Sequence, residues 1–180
     1  MKKRILSMLL VVCMLMSMLP TAVFAADASV GTQQELLDAI TNASNGDTIT
    51  LTGNIDVDMS GTAANTGTIT VSKNITIDGA GFALNATNGN KNATLLLVPS
   101  GVNATIQNLT VNGNGYAKRG IQVDNATATL SNVTSTGNTE YGILVNGSVV
   151  DAHELQTNGN GMGGVNVDAN GSGNASFTMN

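Results

Sequence analysis

Three short segments late in the chain repeat at one step. Gly120-Ile121-Gln122-Val123-Asp124, Gly142-Ile143-Leu144-Val145-Asn146 and Gly164-Val165-Asn166-Val167-Asp168 begin 22 residues apart. A column of bulky apolar residues, Leu109, Val133, Leu155 and Phe177, keeps nearly the same step, as do Asn114, Asn138 and Asn160. A fixed period in the low twenties means stacked coils of a solenoid, each burying its apolar face only on its neighbours. Within each repeat the apolar residues alternate at period two, as in Ile121/Val123, so the units are strands. The Leu-x-x-Leu-x-Leu consensus of leucine-rich repeats is absent, and so is the Gly-Gly-x-Gly-x-Asp pattern of the calcium-binding roll. The expected fold is therefore all-β, a parallel β-helix with coils of about 22 residues.

Earlier coils show the same alternation less regularly: Ile49/Leu51, Ile55/Val57, Ile69/Val71, Ile75/Ile77, Leu95/Leu97 and Ile106. The longest excursions are expected at Ser60 to Thr68 and Asn85 to Asn92. With paired strands about 4.8 Å apart, six or so coils make a rod about 30 Å long. An open solenoid end would template aggregation, so the first coil needs a lid. Thr32-Gln33-Gln34-Glu35 reads as a capping box, and Leu36, Leu37, Ile40 and Ala43 form one apolar stripe, which predicts a short capping helix. At the other end Phe177 falls one repeat after Leu155, so Asn180 lies in mid-coil and the natural protein is expected to continue.

The chain opens with Lys2, Lys3 and Arg4, then an apolar run from Ile5 to Leu19, then Ala22-Val23-Phe24-Ala25. This is the pattern of a bacterial-type secretory signal over residues 1–25, and the run is short of a full bilayer span. Residues 26–46 then form the capping segment and helix, and 47–180 the β-helix, incomplete at its C-terminus. The mature chain is expected to be secreted or at the cell surface, with no membrane span. Cys13, the only cysteine, leaves with the signal, so packing and backbone hydrogen bonds must supply the stability. Three of the seven basic residues leave too, and four remain against twelve acidic ones, a net charge of about −8. Such a surface repels nucleic acid and gives a polyanionic sugar no general attraction.

The stretch Gly31 to Val57, with its short helix followed by Asn45-Gly-Asp-Thr-Ile-Thr-Leu51, resembles the opening of pectate-lyase-like right-handed β-helix proteins. Ile75-Thr-Ile-Asp-Gly-Ala-Gly-Phe82 is similar to their second-coil motif, and the Gly-Ile/Val-x-Val repeats to their later coils. The resemblance covers essentially the whole mature chain and implies a right-handed β-helix. It leaves activity open, because the superfamily holds lyases, hydrolases, epimerases and non-catalytic adhesin-like surface proteins. The catalytic motifs of its pectate lyases and polygalacturonases do not match: the mature chain has a single arginine, Arg119, a single proline, Pro99, and a lone His153 set in Ala-His-Glu.

Four sets of residues are candidates for a site. Lys118-Arg119 could neutralise a uronate and supply a base for β-elimination. The repeat sets Lys118 beside Glu140 and Arg119 beside Tyr141, which reads more simply as an ion pair and a cation–π contact. Asp124, Asn146 and Asp168 form one outward column, with the two carboxylates about 10 Å apart. They could bind a glycan, act near the upper limit of an inverting glycosidase's separation, or hold calcium through Asp124 and Asp168. Being at strand ends, they could equally be merely solvated. His153-Glu154, with Asp151, could form an acid–base pair, but a strand would point the two neighbours to opposite faces. Asn114, Asn138 and Asn160 read as an internal ladder, with Gly120, Gly142 and Gly164 as structural positions. Thr48, Thr50 and Thr52 could suggest an ice-binding face, but the element does not recur at the 22-residue step.

The reading that results is a non-catalytic, adhesin-like β-helix module. Its partner would be an extracellular polysaccharide or a cell-wall or host surface glycan, with no cofactor unless calcium. The alternative is the N-terminal part of a polysaccharide lyase or glycoside hydrolase acting on acidic polysaccharide.

Overall fold

In a computed structural model the described residues are 27–60, 67–89, 91–170 and 174–180. The export signal expected over residues 1–25 lies outside them. The chain begins with β1 (Ala28–Val30), then α1 (Gln33–Asn42), β2 (Thr48–Leu51), β3 (Ile55–Asp58), β4 (Ile69–Thr70), β5 (Thr76–Asp78), β6 (Ala83–Thr87) and β7 (Thr94–Val98). The remaining strands are β8 (Asn103–Asn112), β9 (Arg119–Asp124), β10 (Thr127–Thr136), β11 (Tyr141–Asn146), β12 (Val149–Gln156), β13 (Gly163–Asp168) and β14 (Ser176–Met179). All strand pairs are parallel, as coiling in one sense requires. The architecture is a right-handed parallel β-helix of about six turns.

One sheet runs β1-β2-β5-β8-β10-β12-β14, with β3 and β6 joined at its side, and a second runs β4-β7-β9-β11-β13. The long strands β8 and β10 each bend at one asparagine with left-handed backbone, Asn108 (φ 50°) and Asn132 (φ 53°). The first half of β8 pairs with β5 and the second half with β6. Each coil therefore has three sides and a sharp corner, and asparagine is the residue besides glycine that most readily takes such a corner.

Inward residues stack in rows from coil to coil. Ile49, Ile77, Ile106, Leu130 and Ala152 form one buried row. Ile69, Leu96, Ile121 and Ile143 form another on the second sheet. Burying each such side chain contributes roughly 1.5–3 kcal/mol, so the stack, with no disulfide, is the main source of stability. The strand β7 is in a different phase from the Leu95/Leu97 alternation read from sequence. Leu96 and Val98 align with Ile121 and Val123, and Leu97 faces out beside Gln122. Asn85 to Thr87, expected in a loop, belong to β6 and pair with β3.

Helix α1 has the expected capping box: the Glu35 N–H donates to Thr32 Oγ1, and the Glu35 carboxylate accepts the Thr32 N–H. Its carboxyl is held below the usual range, chiefly by the Gly31 N–H and also by Thr32. Leu36 and Ile40 are buried against the first coil, as the stripe requires of a lid. Strand β1 lies ahead of the helix, within the segment assigned to the cap, and pairs with β2. No described helix is long and apolar enough to cross a membrane.

The strict step is a property of the later coils. It is 22 residues from β10 to β12 and from β9 to β11 and β13, but 24 from β8 to β10 and 29 from β5 to β8. At β14 the expected column breaks: Phe177 pairs with Val150, not Leu155. The connection from Asp168 to Ser176 is five residues longer than the one from Asn146 to Val149, so the same column position arrives late.

Candidate functional site

Lys118, Arg119, Asp124 and Asn146, picked from sequence as separate candidates, meet in one network on the outer face of the second sheet. Lys118 Nζ lies 3.2 Å from Glu140 Oε1, and Arg119 Nη2 lies 3.4 Å from Glu140 Oε2. Arg119 Nη1 donates to Gln122 Oε1 (3.2 Å), which also accepts from Thr94 Oγ1 (2.8 Å). Gln122 Nε2 donates to Asp124 Oδ2 (2.7 Å), and Asn146 Nδ2 donates to Asp124 Oδ1 (3.0 Å). The chain of contacts spans three coils because Arg119 is in register with Tyr141, and Asp124 with Asn146. Arg119 thus has the expected neighbour Tyr141, but its guanidinium engages Glu140 and Gln122 instead, and its Nε is buried without a partner. A charged acceptor on the next coil is the stronger attraction for a guanidinium.

Gln122, with Thr94 behind it, is the linking member of this network that the sequence did not single out. Its one signal is position: it lies outward, two residues from Asp124, with an amide that can accept from one side and donate to the other. Apart from Arg119 Nε, the network's charged groups are engaged with one another. One carboxylate pairs with both cations, so neither stands as a free base or an open uronate clamp.

The Asp124, Asn146 and Asp168 column is in register as the repeat requires. Calcium takes oxygen ligands, and several oxygens of this column are already engaged within the protein. Asn146 turns an N–H toward Asp124, both Asp124 oxygens already accept amide protons, and Asp168 accepts the Asn170 N–H. Among the described residues no three His, Cys, Asp or Glu side chains gather as a metal site would need.

His153 and Glu154 do not diverge as a regular strand would have them. Glu154 has left-handed backbone (φ 52°), the alternation breaks there, and both side chains are exposed. Glu154 occupies the corner that Asn108 and Asn132 occupy on the coils before it. At this corner Asn132 Nδ2 donates to Asn108 Oδ1 (3.1 Å), and Asn108 Nδ2 to Asp78 Oδ1 (3.1 Å). Burial pushes the Asp78 carboxyl up, but hydrogen bonds from the Ala80 N–H, Gln107 and Asn108 outweigh it and hold it below the usual carboxylate range.

Of the three asparagines read as a ladder, only two are joined. Asn138 Nδ2 donates to Asn160 Oδ1 (2.8 Å) and to Ser135 Oγ (3.3 Å), and Asn160 Nδ2 donates to Ser135 O. Asn114 stands outside, exposed at a left-handed turn (φ 47°), donating to Ala86 O instead. A different ladder, Asn45, Asn74 and Asn103, satisfies the N–H groups of the earlier turns at a step of 29. Gly120 and Gly142 each lie where an added Cβ would strike backbone oxygen, and Gly164 where it would strike the Thr157 side chain.

The outer face of the first sheet carries rows of hydroxyl and amide groups at coil spacing. Thr48, Thr76, Thr105 and Thr129 form one row, continued by Asp151, and beside it run Thr50, Asp78, Gln107, Ser131 and His153. The Thr48 row exists after all, but at unequal steps, and its neighbour row is not threonine.

No curated protein and no solved structure matches the chain. A family profile does, over residues 27–141: the one described as "Putative pectate lyase-like adhesive domain". The matched span takes in the capping helix, the irregular early coils and the first of the regular ones, well over half of the sequence. The chain therefore belongs to this pectate lyase-like adhesive domain family.

Proposed function

We propose that the chain is a secreted or cell-surface adhesin module that binds a glycan along its side without carrying out chemistry on it. The observation that supports this most is the outer face of the first sheet, where hydroxyl and amide side chains stand in register from coil to coil. An array of hydroxyl and amide groups about 4.8 Å apart, with carboxylates at Asp78 and Asp151, offers hydrogen-bond partners to a polyhydroxylated polymer along its length. The family's adhesive character argues the same way. Against a lyase stands Glu140, which pairs with both cations a uronate would need.

The test is co-sedimentation of the purified protein with insoluble cell-wall polysaccharides, with soluble products followed at the same time. Retention with no unsaturated or reducing products supports the module. Product release that survives further purification would replace it with the enzyme reading.

A further inference from the structure

The corner of the first sheet is concave. Between the register pairs Asp78/Gln107 and Ala83/Thr110 the earlier coil has four residues, Gly79 to Phe82, facing only Asn108 and Leu109. The two extra residues stand out as a wall beside the flatter corners that follow. The result is an open groove of about 150 Å³ lined by Gly81, Asn108, Leu109, Thr110, Asn132 and Thr134. That is room for about five waters, or for one ring of a longer chain rather than an enclosed small molecule.

Two features make the wall what it is. A Cβ on Gly79 would lie 2.4 Å from Asn108 O and 2.7 Å from Leu109 Cα, so only glycine lets the loop press this close to the next coil. Gly81, at φ 87°, has nothing within 4 Å of where its Cβ would be, and so leaves the mouth open. Next in sequence is Phe82, more than a third exposed, an apolar surface at the edge of a polar groove.

We propose that this groove is the glycan-binding subsite, that the bound polymer runs along the helix axis over successive corners, and that its sugars are neutral rather than uronic. The inference rests on the glycan-binding reading above. The floor carries on from coil to coil: Asn108, Asn132 and Glu154 at the corner, and Thr110, Thr134 and Gln156 beside it. The Thr110 and Thr134 hydroxyls make no hydrogen bond among the described residues, whereas those of Thr68, Thr87 and Thr94 are taken up by backbone or side chain. They are pre-positioned donors and acceptors with no partner among the described residues.

The charge pattern sets the class of sugar. Asp78 and Glu154 flank the corner, no lysine or arginine among the described residues lines the groove, and Lys118 and Arg119 sit on the other sheet, paired with Glu140. A uronate would meet only like charge there, while a neutral sugar's hydroxyls can donate to these carboxylates.

The test is an array of neutral hexose and N-acetylhexosamine oligosaccharides together with oligogalacturonates, probed with the whole protein. Thr134→Trp fills the groove on a strand position that tolerates an aromatic residue. Asn132→Gly removes the corner amide while keeping the left-handed backbone, so it stays informative should the tryptophan variant fail to fold. Asn166→Trp, on the outer face of the second sheet, controls for added bulk.

The expected result is binding to a neutral oligosaccharide that strengthens with chain length. It should fall by about tenfold or more in Thr134→Trp, fall by a smaller factor in Asn132→Gly and stay unchanged in Asn166→Trp. Neutral-sugar binding that is equal in all four proteins would overturn the groove while leaving the module standing. Binding confined to oligogalacturonates would overturn the neutral class and, with it, this site. A wild-type protein that binds no array glycan and no cell-wall polysaccharide would remove the underlying reading as well.

Discussion

Replacing Gly120 by alanine asks whether the interior of the regular coils is as tightly interlocked as their geometry implies. The backbone at Gly120 is not in the left-handed region, so the cost is one of packing alone. The added methyl would lie 2.0 Å from Ser135 Oγ, 2.8 Å from Gly142 O and 2.9 Å from Asn138 Nδ2. Ser135 is fully buried and donates to Gly142 O at 2.7 Å, so it can move only by giving up that bond. Overpacking costs about 1–3 kcal/mol and a disrupted buried hydrogen bond about 1–3 kcal/mol, which together give a loss of about 2–6 kcal/mol in urea unfolding. Ser135→Ala removes the nearest obstacle. The double variant should therefore be more stable than the two single losses predict, although Gly142 O still stands in the way. Gly53→Ala, where nothing lies within 4 Å, should change stability by less than about 0.5 kcal/mol. A Gly120→Ala loss below about 0.5 kcal/mol, or strict additivity with Ser135→Ala, would refute the interlocking described above.

Lys118→Ala and Glu140→Ala should each cost no more than about 1 kcal/mol, because the pair is partly exposed, with Glu140 the larger since it also engages Arg119. Their thermal stability losses should be non-additive; additive losses would remove the ion pair from the account. Asp78→Asn should cost about 1–2 kcal/mol at neutral pH. Since the folded carboxyl lies below its ordinary value, its contribution is present above about pH 4 and lost as pH falls through the folded value. The two proteins' unfolding free energies should then converge in acid, and a gap independent of pH would contradict the hydrogen-bonded carboxylate. Calcium or a chelator should leave the thermal midpoint unchanged, given the amide donors on Asp124; a clear rise with calcium would contradict that donor set.

The parts of the fold that read well from sequence are those where coils have equal length. The Gly-Ile/Val-x-Val segments stack at a constant 22, so their inward residues and the Lys118–Glu140 neighbourhood follow from counting. Counting fails where a connection changes length. The longer link before Ser176 moves Phe177 onto Val150, and the steps of 29 and 24 hide the threonine row and the Asn45–Asn74–Asn103 ladder. The corner was hidden for another reason. A single residue in the left-handed region shifts the apolar alternation by one, from Ile106 to Leu109 and from Leu130 to Val133, a break that does not by itself say corner, and Glu154 takes that place where Asn108 and Asn132 gave a hint. The groove needs both effects, a two-residue excess on one coil and a corner on the next, which no single periodicity records.

The site was half legible for the same physical reason. Lys118, Arg119, Asp124 and Asn146 carry charge or amide groups at conspicuous places in the repeat. That they join through Glu140 and Gln122 into one network depends on side-chain reach from coil to coil.

The measurement that tests the central claim most directly is a combined binding and product assay of the purified protein on neutral and acidic cell-wall polysaccharides. The account predicts retention on a neutral polysaccharide, with no unsaturated uronides and no new reducing ends. Release of either product, lost in a folded Lys118→Ala/Arg119→Ala variant, would contradict it and move the function to the network on the second sheet.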